Sequence, residues 1–187
     1  VIGETIDDAA GEAFDKLAKM LGLPYPGGPL VDKYAAEGDP MRFKFPMAEM
    51  KDYQFSFSGI KTSVLYFLRD NKKEDPDFAE KNIKDICGSV QYTIVKMLMT
   101  KLQKAAKQLN IKHVGIAGGV SANSGLRKAL KEVGEKNGWK VYIPRFEYCT
   151  DNAAMIAWAG IEMMDKYKQK RYDAQARPRW PLKELGI

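Results

Sequence analysis

Two glycines followed within five residues by a serine and an asparagine, where an apolar stretch gives way to a helix-forming one, could hold an anion or a hydroxyl-rich group. The stretch is GIAGGVSANSGLRKAL, from Gly115 to Leu130. Gly118 and Gly119 let a ligand approach the backbone with no Cβ in the way, and free amides at the following helix start favour negative charge. Ser121 and Asn123 suit contact with such a ligand. They equally suit a tight strand-to-helix connection in which Asn123 is only an N-cap, worth about 0.5–2 kcal/mol. A second stretch, DDAAGEAFDKLAKMLGLPYPGGPLVDK, sets Asp15 on an amphipathic helix, backbone amides near Gly28 in a PGGP loop, and Asp32 one turn later. Carboxylates paired in this way accept hydrogen bonds from ribose hydroxyls, although both also read as ordinary surface acids. In a third stretch, TDNAAMIAWAG, Thr150 or Asp151 can cap the last helix. A carboxylate there is also aimed out of a sheet's C-terminal edge, into the crevice that the glycine turn borders.

For these residues to meet, strand ends and helix starts must lie side by side. Asp7 and Asp8 favour a helix N-terminus, and Phe14, Leu17, Ala18 and Leu21 give that helix a buried face until Gly22 ends it. LPYPGGP is a rigid loop; Pro29 opens a short second helix through Asp32 to Ala36, and EGDP marks a turn. RFKFP and YQFSFS alternate aromatic with polar residues, which argues for two half-buried strands, with a hairpin as one way to pair them. A helix then runs from about Lys61 to Arg69, followed by the charged connector KKEDPDFAEKN. Next, Ile83, Ile86, Val90, Ile94, Met97, Leu98, Leu102, Ala105 and Leu109 recur on one face of a long core helix, whose Met97 and Met99 are packing residues. Strand HVGIAG, helix SGLRKALKEVGEKNG, strand WKVYIP and a last helix from Asp151 to about Lys168 imply a parallel pair covered by helices, the α/β arrangement.

Composition bounds the reading. With 187 residues and 45% hydrophobic content, the chain can bury roughly 70% of its unfolded surface in one moderate domain. No run of about 18 apolar residues occurs, so a spanning helix is not expected. Cys87 and Cys149 lack metal spacing and form no disulfide framework, as in a reducing cytoplasm. The net charge of +6 concentrates in Lys96 to Lys112 and in the tail from Lys166 to Lys183. Such density fits an RNA partner, or simply solvated helix faces. The opening Val1-Ile2-Gly3-Glu4, an apolar pair without a methionine, reads as the tail of a strand in a fragment.

Taken together, GETIDDAAGEAFDKLAKMLGLPYPGGP, FSFSGIKT, GIAGGVSAN and YCTDNAAMIAWAG resemble the C-terminal part of the TsaD family, bacterial tRNA adenosine threonylcarbamoyltransferase subunits formerly called glycoproteases or O-sialoglycoprotein endopeptidases. Four motifs in order span nearly the whole chain. The resemblance implies the actin, sugar-kinase and Hsp70-like (ASKHA) architecture, in which two RNase H-like lobes enclose a nucleotide cleft. This chain is similar to the second lobe: residues 1–75 carry the substrate-binding helix, loops and hairpin-like strands, 76–187 a helix, the α/β core and the basic tail, and the N-terminal lobe is absent. The implied activity of the full-length protein is acyl transfer, from threonylcarbamoyl-adenylate to N6 of adenosine 37 in tRNAs reading codons that begin with A. Carried onto this sequence, Asp15, Gly28, Asp32, Gly118, Gly119 and Asn123 would bind the substrate, and Asp151 would be one ligand of a divalent metal, iron or zinc. The implied partners are tRNA and TsaB-like and TsaE-like proteins, in the cytoplasm and away from any membrane.

One departure bears on activity. The family's HxxxH metal ligands belong to the first lobe, whereas the single histidine here, His113, opens a strand and is expected to be structural. One carboxylate leaves a divalent ion mostly hydrated, so the isolated chain is expected to carry little metal and to be inactive. No general base is assignable; Ser56, Ser58 and Lys61 in FSFSGIKT face either a cleft or a helix-packing seam. A protease reading lacks HExxH and any Ser or Cys triad. An ASKHA-type ATPase or phosphotransferase lobe and a non-enzymatic RNA-binding or assembly module remain alternatives.

Overall fold

A computed structural model describes residues 1–164; the C-terminal end of the expected last helix and the basic tail lie outside the described residues. The elements run α1 (Ala10–Met20), α2 (Gly27–Ala35), α3 (Ser58–Asn71), α4 (Phe78–Lys81), α5 (Ile83–Gln108), β1 (His113–Gly115), α6 (Ser124–Asn137), β2 (Lys140–Tyr142) and α7 (Ala153–Met163), with short 3-10 turns at Gly119–Ala122 and Phe146–Tyr148. The chain is thus an α/β protein with a small parallel sheet. Val114 pairs with Val141 in register, flanked by His113 with Lys140 and Gly115 with Tyr142. The strands are shorter than HVGIAG and WKVYIP suggest: beyond Gly115 one further bond, from the Ile116 amide to the Tyr142 carbonyl, continues the ladder.

The 26-residue α5 is about 39 Å long at 1.5 Å per residue and organises everything else. Ile86, Val90, Ile94 and Met97 face a first core shared with α1, α2 and α3, built on Phe14, Leu17, Val31, Phe57 and Val64. Val95, Met99 and Ala106 face a second core with Val114, Leu126 and Leu130 from β1 and α6. The periodic stripe holds Leu98 and Leu102 of the second face but misses its buried Val95, Met99 and Ala106, and Leu109, expected inside, is 50% exposed. Residues from both 1–75 and 76–187 fill the first core.

The aromatic alternation around residues 42–57 does not make a hairpin. Within it only Phe55 forms a bridge, to Thr5, and the rest is irregular backbone. Phe43 packs on Phe67 and Phe78, and Phe45 on Phe67, so the phenyl groups cover α3 without a strand ladder. Helix starts also move. α1 begins at Ala10 with no side-chain cap, because Asp7 turns to α3 instead: its carboxylate accepts from the Ser56 and Ser58 hydroxyls and from the Phe57 amide at 2.8 Å. This long-range cap draws the start of α3 forward from Lys61 to Ser58. At the last helix the cap is Asn152, which accepts from the Met155 amide at 2.9 Å, and not Thr150 or Asp151.

Candidate functional site

The loops after β1 and β2 leave the same end of the parallel pair, and the site is built on them. After β1 the chain turns at Gly118, whose φ of +80° lies in the region that excludes most side chains. A Cβ placed on Gly118 or Gly119 would meet nothing within 4 Å, so the backbone of this turn borders open space. Asn123 then starts α6. Its Oδ1 accepts from the Leu126 amide at 2.9 Å, and its Nδ2 donates to Gln91 Oε1 at 2.7 Å, so the side chain is 8% exposed and held at both ends. The capping role anticipated for Asn123 is present. The Gln91 contact was hidden in the sequence, although a glutamine inside the apolar stripe of α5 is itself a signal for a buried polar partner.

The first half of the chain comes to this turn through two carboxylates. Asp15 Oδ1 accepts from the amides of Gly27 and Gly28, each at 3.0 Å. Those amides are therefore committed to Asp15 and are not free for a ligand, and they open α2 at Gly27 rather than at Pro29. Asp15 Oδ2 has no hydrogen-bond partner among the described residues. Asp32 accepts from the Ser124 amide at 3.0 and 3.1 Å and from the Ser124 hydroxyl at 2.8 Å. The structure thus links Asp15 with Gly28, and Asp32 with the residue next to Asn123. Beside the turn a hollow of about 370 Å³ opens between Ile2, Phe55, Leu102, Ile116, Val120 and Ser121. Among the described residues the buried Ser121 hydroxyl has no partner.

After β2, the loop to α7 carries Cys149, Thr150 and Asp151. Arg127 on α6 holds this loop and the glycine turn together: its Nε donates to the Ser121 carbonyl at 2.6 Å, and one terminal nitrogen to the Pro144 carbonyl at 2.7 Å and to Cys149 Sγ at 3.2 Å. Its guanidinium lies 3.9 Å from the centre of the Phe146 ring. Sequence reading missed Arg127, since a cation in a helix such as LRKAL carries no distinguishing mark. Asp151 is exposed and makes no hydrogen bond to Asp15, Asp32 or Asn123 among the described residues. No three His, Cys, Asp or Glu side chains gather into a metal-binding group among those residues either.

Other titratable groups serve structure. At Asp7 burial works against the charge, but the Ser56 and Ser58 hydroxyls and the Phe57 and Ser58 amides outweigh it and hold the carboxyl well below the usual range. Ser56 and Ser58 are thus engaged by Asp7. Burial pushes the Cys87 thiol up to about 12, which removes it as a nucleophile at neutral pH. His113, exposed at the start of β1, shares a 3.2 Å hydrogen bond with the Tyr142 hydroxyl. Lys101 donates to the Met50 and Asp52 carbonyls at 2.6 and 2.8 Å, so at least one lysine of the basic stretch is structural. No described helix is long and apolar enough to cross a membrane.

A glycine turn and a carboxylate-bearing loop thus lie at the same end of a parallel strand pair in an α/β fold, the position at which such folds commonly bind ligands. Residues 1–158 match the family model for TsaD, tRNA N6-adenosine threonylcarbamoyltransferase, and the chain belongs to that family. It is 63% identical over 172 residues to the tRNA N6-adenosine threonylcarbamoyltransferase of Christiangramia forsetii, covering 92% of this chain and 50% of that protein. Proteins of the same name from Cytophaga hutchinsonii and Porphyromonas gingivalis are 56% and 59% identical, over 96% and 86% of this chain and 52% and 47% of theirs. The chain spans about half the length of these curated relatives.

Proposed function

We propose that this chain is the C-terminal lobe, RNase H-like and of ASKHA type, of an enzyme that moves a threonylcarbamoyl group from threonylcarbamoyl-adenylate to N6 of adenosine 37 in tRNAs reading A-starting codons. The observation that carries the reading is the family match across the turn, α6 and the Asp151 loop together. The bare backbone at Gly118 and Gly119 supports it, because an adenylate can approach there without a side chain intervening. Asn123 and Asp32 fix the start of α6 beneath that backbone. Asp15 keeps Oδ1 on the α2 amides, with Gly28 among them, and leaves Oδ2 for a ribose hydroxyl. Binding in this way lowers the barrier chiefly by alignment of the carbamoyl carbon with the incoming adenine N6.

A divalent ion, iron or zinc, would polarise the carbamoyl oxygen. Asp151 would supply one ligand to it, and the other ligands would have to come from elsewhere in the full-length protein. tRNA and TsaB-like and TsaE-like proteins are the proposed partners, in the cytoplasm.

The test is transfer of labelled threonylcarbamoyl to tRNA by the full-length protein with its partners. Asn123→Ala should raise KM for the adenylate. Asp151→Ala should lower bound metal, read by elemental analysis, together with kcat. Rapid tRNA-independent ATP hydrolysis would instead favour the phosphotransferase alternative. Salt-sensitive tRNA binding that survives both substitutions, with no transfer by the unmutated protein, would favour an RNA-binding module.

A further inference from the structure

We infer that Arg127 is a positioning residue that sets the Asp151 loop against the glycine turn, an inference that rests on the transferase reading given above. Three observations carry it. The guanidinium bonds to both loops at once: the Ser121 carbonyl belongs to the turn after β1, and the Pro144 carbonyl and Cys149 Sγ belong to the segment after β2. Its far face lies 3.9 Å from the centre of the Phe146 ring, which is 66% exposed. Asp151 follows Cys149 by two residues and makes no hydrogen bond of its own among the described residues, so its posture is set by the anchored segment before it and by Asn152 after it, whose Nδ2 donates to the Thr150 carbonyl at 3.0 Å.

Arginine suits this task in a way lysine does not. A planar fork presents donors in several directions from one rigid group and can stack an aromatic ring on its face while doing so. A lysine at 127 reaches one carbonyl at a time and leaves either the turn or the loop unheld. Cys149, 2% exposed, acts here as a small acceptor for the guanidinium, its own thiol donating to the Arg145 carbonyl at 3.4 Å. The contact of Arg127 with the catalytic region is indirect; it orders groups that would themselves meet substrate.

The experiment uses the full-length protein with its partners and compares wild type with Arg127→Met, Arg127→Lys and Phe146→Leu. Transfer is measured as kcat and KM for the adenylate, and amide hydrogen exchange is followed at Tyr148 and Cys149 and in the middle of α5. Arg127→Met should lower kcat about 10- to 100-fold, the cost of a misplacement near 1 Å. Exchange at Tyr148 and Cys149 should quicken while that of α5 holds. Arg127→Lys should recover only part of kcat. Phe146→Leu, an exposed change that spares the cores, should give a smaller loss in the same direction and keeps the question open to test if Arg127→Met does not fold.

Loss of Tm with unchanged kcat per folded molecule would overturn the inference, because Arg127 would then be structural only. A fall in kcat without faster loop exchange would overturn it as well, since Arg127 would be touching substrate directly. An unmutated protein that transfers nothing would instead sink the transferase reading, whatever the Arg127 variants do.

Discussion

Asp7 shows how a single carboxylate can be misplaced by sequence and yet be decisive in structure. Next to Asp8 it reads as the opening charge of α1, but it crosses to cap α3, 50 residues on, where the Phe57 amide donates to it. Its carboxyl sits below the ordinary value of 3.8. A carboxyl lowered on folding stabilises the native state above its unfolded value, and that contribution fades as pH falls through the lowered folded value. Asp7→Asn should therefore be less stable than wild type near pH 7, and the gap should close as pH drops below about 4. A capping contribution of about 0.5–1 kcal/mol is the expected size, because the group is exposed and screened. Urea unfolding midpoints of both proteins across that range measure it; a gap that widens in acid would contradict the cap. Asp15, Asp32 and Asp151 were legible in the sequence as candidate carboxylates. Their immediate partners were not, because the Ser124 amide that meets Asp32 lies 92 positions away and no local pattern encodes such a pairing.

At the scale of elements, periodicity, caps and turn residues marked every long helix among the described residues, and the reading failed where backbone pairing had to be inferred from side-chain alternation. Phe43, Phe45, Phe55 and Phe57 alternate as a half-buried strand would, yet alternation states only that every second side chain is wet; a strand also needs a neighbour with unpaired amides. Here α3 and α4 supply the apolar surface, and only Thr5 supplies a backbone bridge. Nor did spacing reveal how closely the turn after α2 approaches the start of α5. A Cβ on Gly38 would stand 2.1 Å from the Lys84 carbonyl oxygen, a backbone atom that cannot rotate aside. Gly38→Ala should thus cost about 1–3 kcal/mol by forcing the turn after α2 away from α5. Gly59, in the first turn of α3, has nothing within 4 Å of its would-be Cβ. Gly59→Ala should be neutral or gain up to about 1 kcal/mol. Thermal midpoints of the two variants, moving in opposite directions, are the check; equal losses would mean that α3, too, is closely packed.

Across the whole molecule, the two cores are not independent bodies. α5 walls both, with Ile94 turned to one and its neighbour Val95 to the other, and Leu98 and Val120 pack against both clusters. Melting the second core removes the support of half of α5, and a helix stripped of tertiary packing along that length is marginal in water. The site depends on this coupling, since Gln91 on α5 holds Asn123 from beneath while Asp32 on α2 holds Ser124 from the first core's side. Leu130→Ala in the second core and Ile94→Ala in the first should each cost about 2–5 kcal/mol. Each should shift one common transition, with far-ultraviolet dichroism and aromatic signals falling together. A Leu130→Ala protein that lost its second core while the phenylalanine cluster around Phe67 stayed folded would show two separable units. The glycine turn between β1 and α6 would then be lost with the second core, and the carboxylates of the first half would not suffice to fix its position.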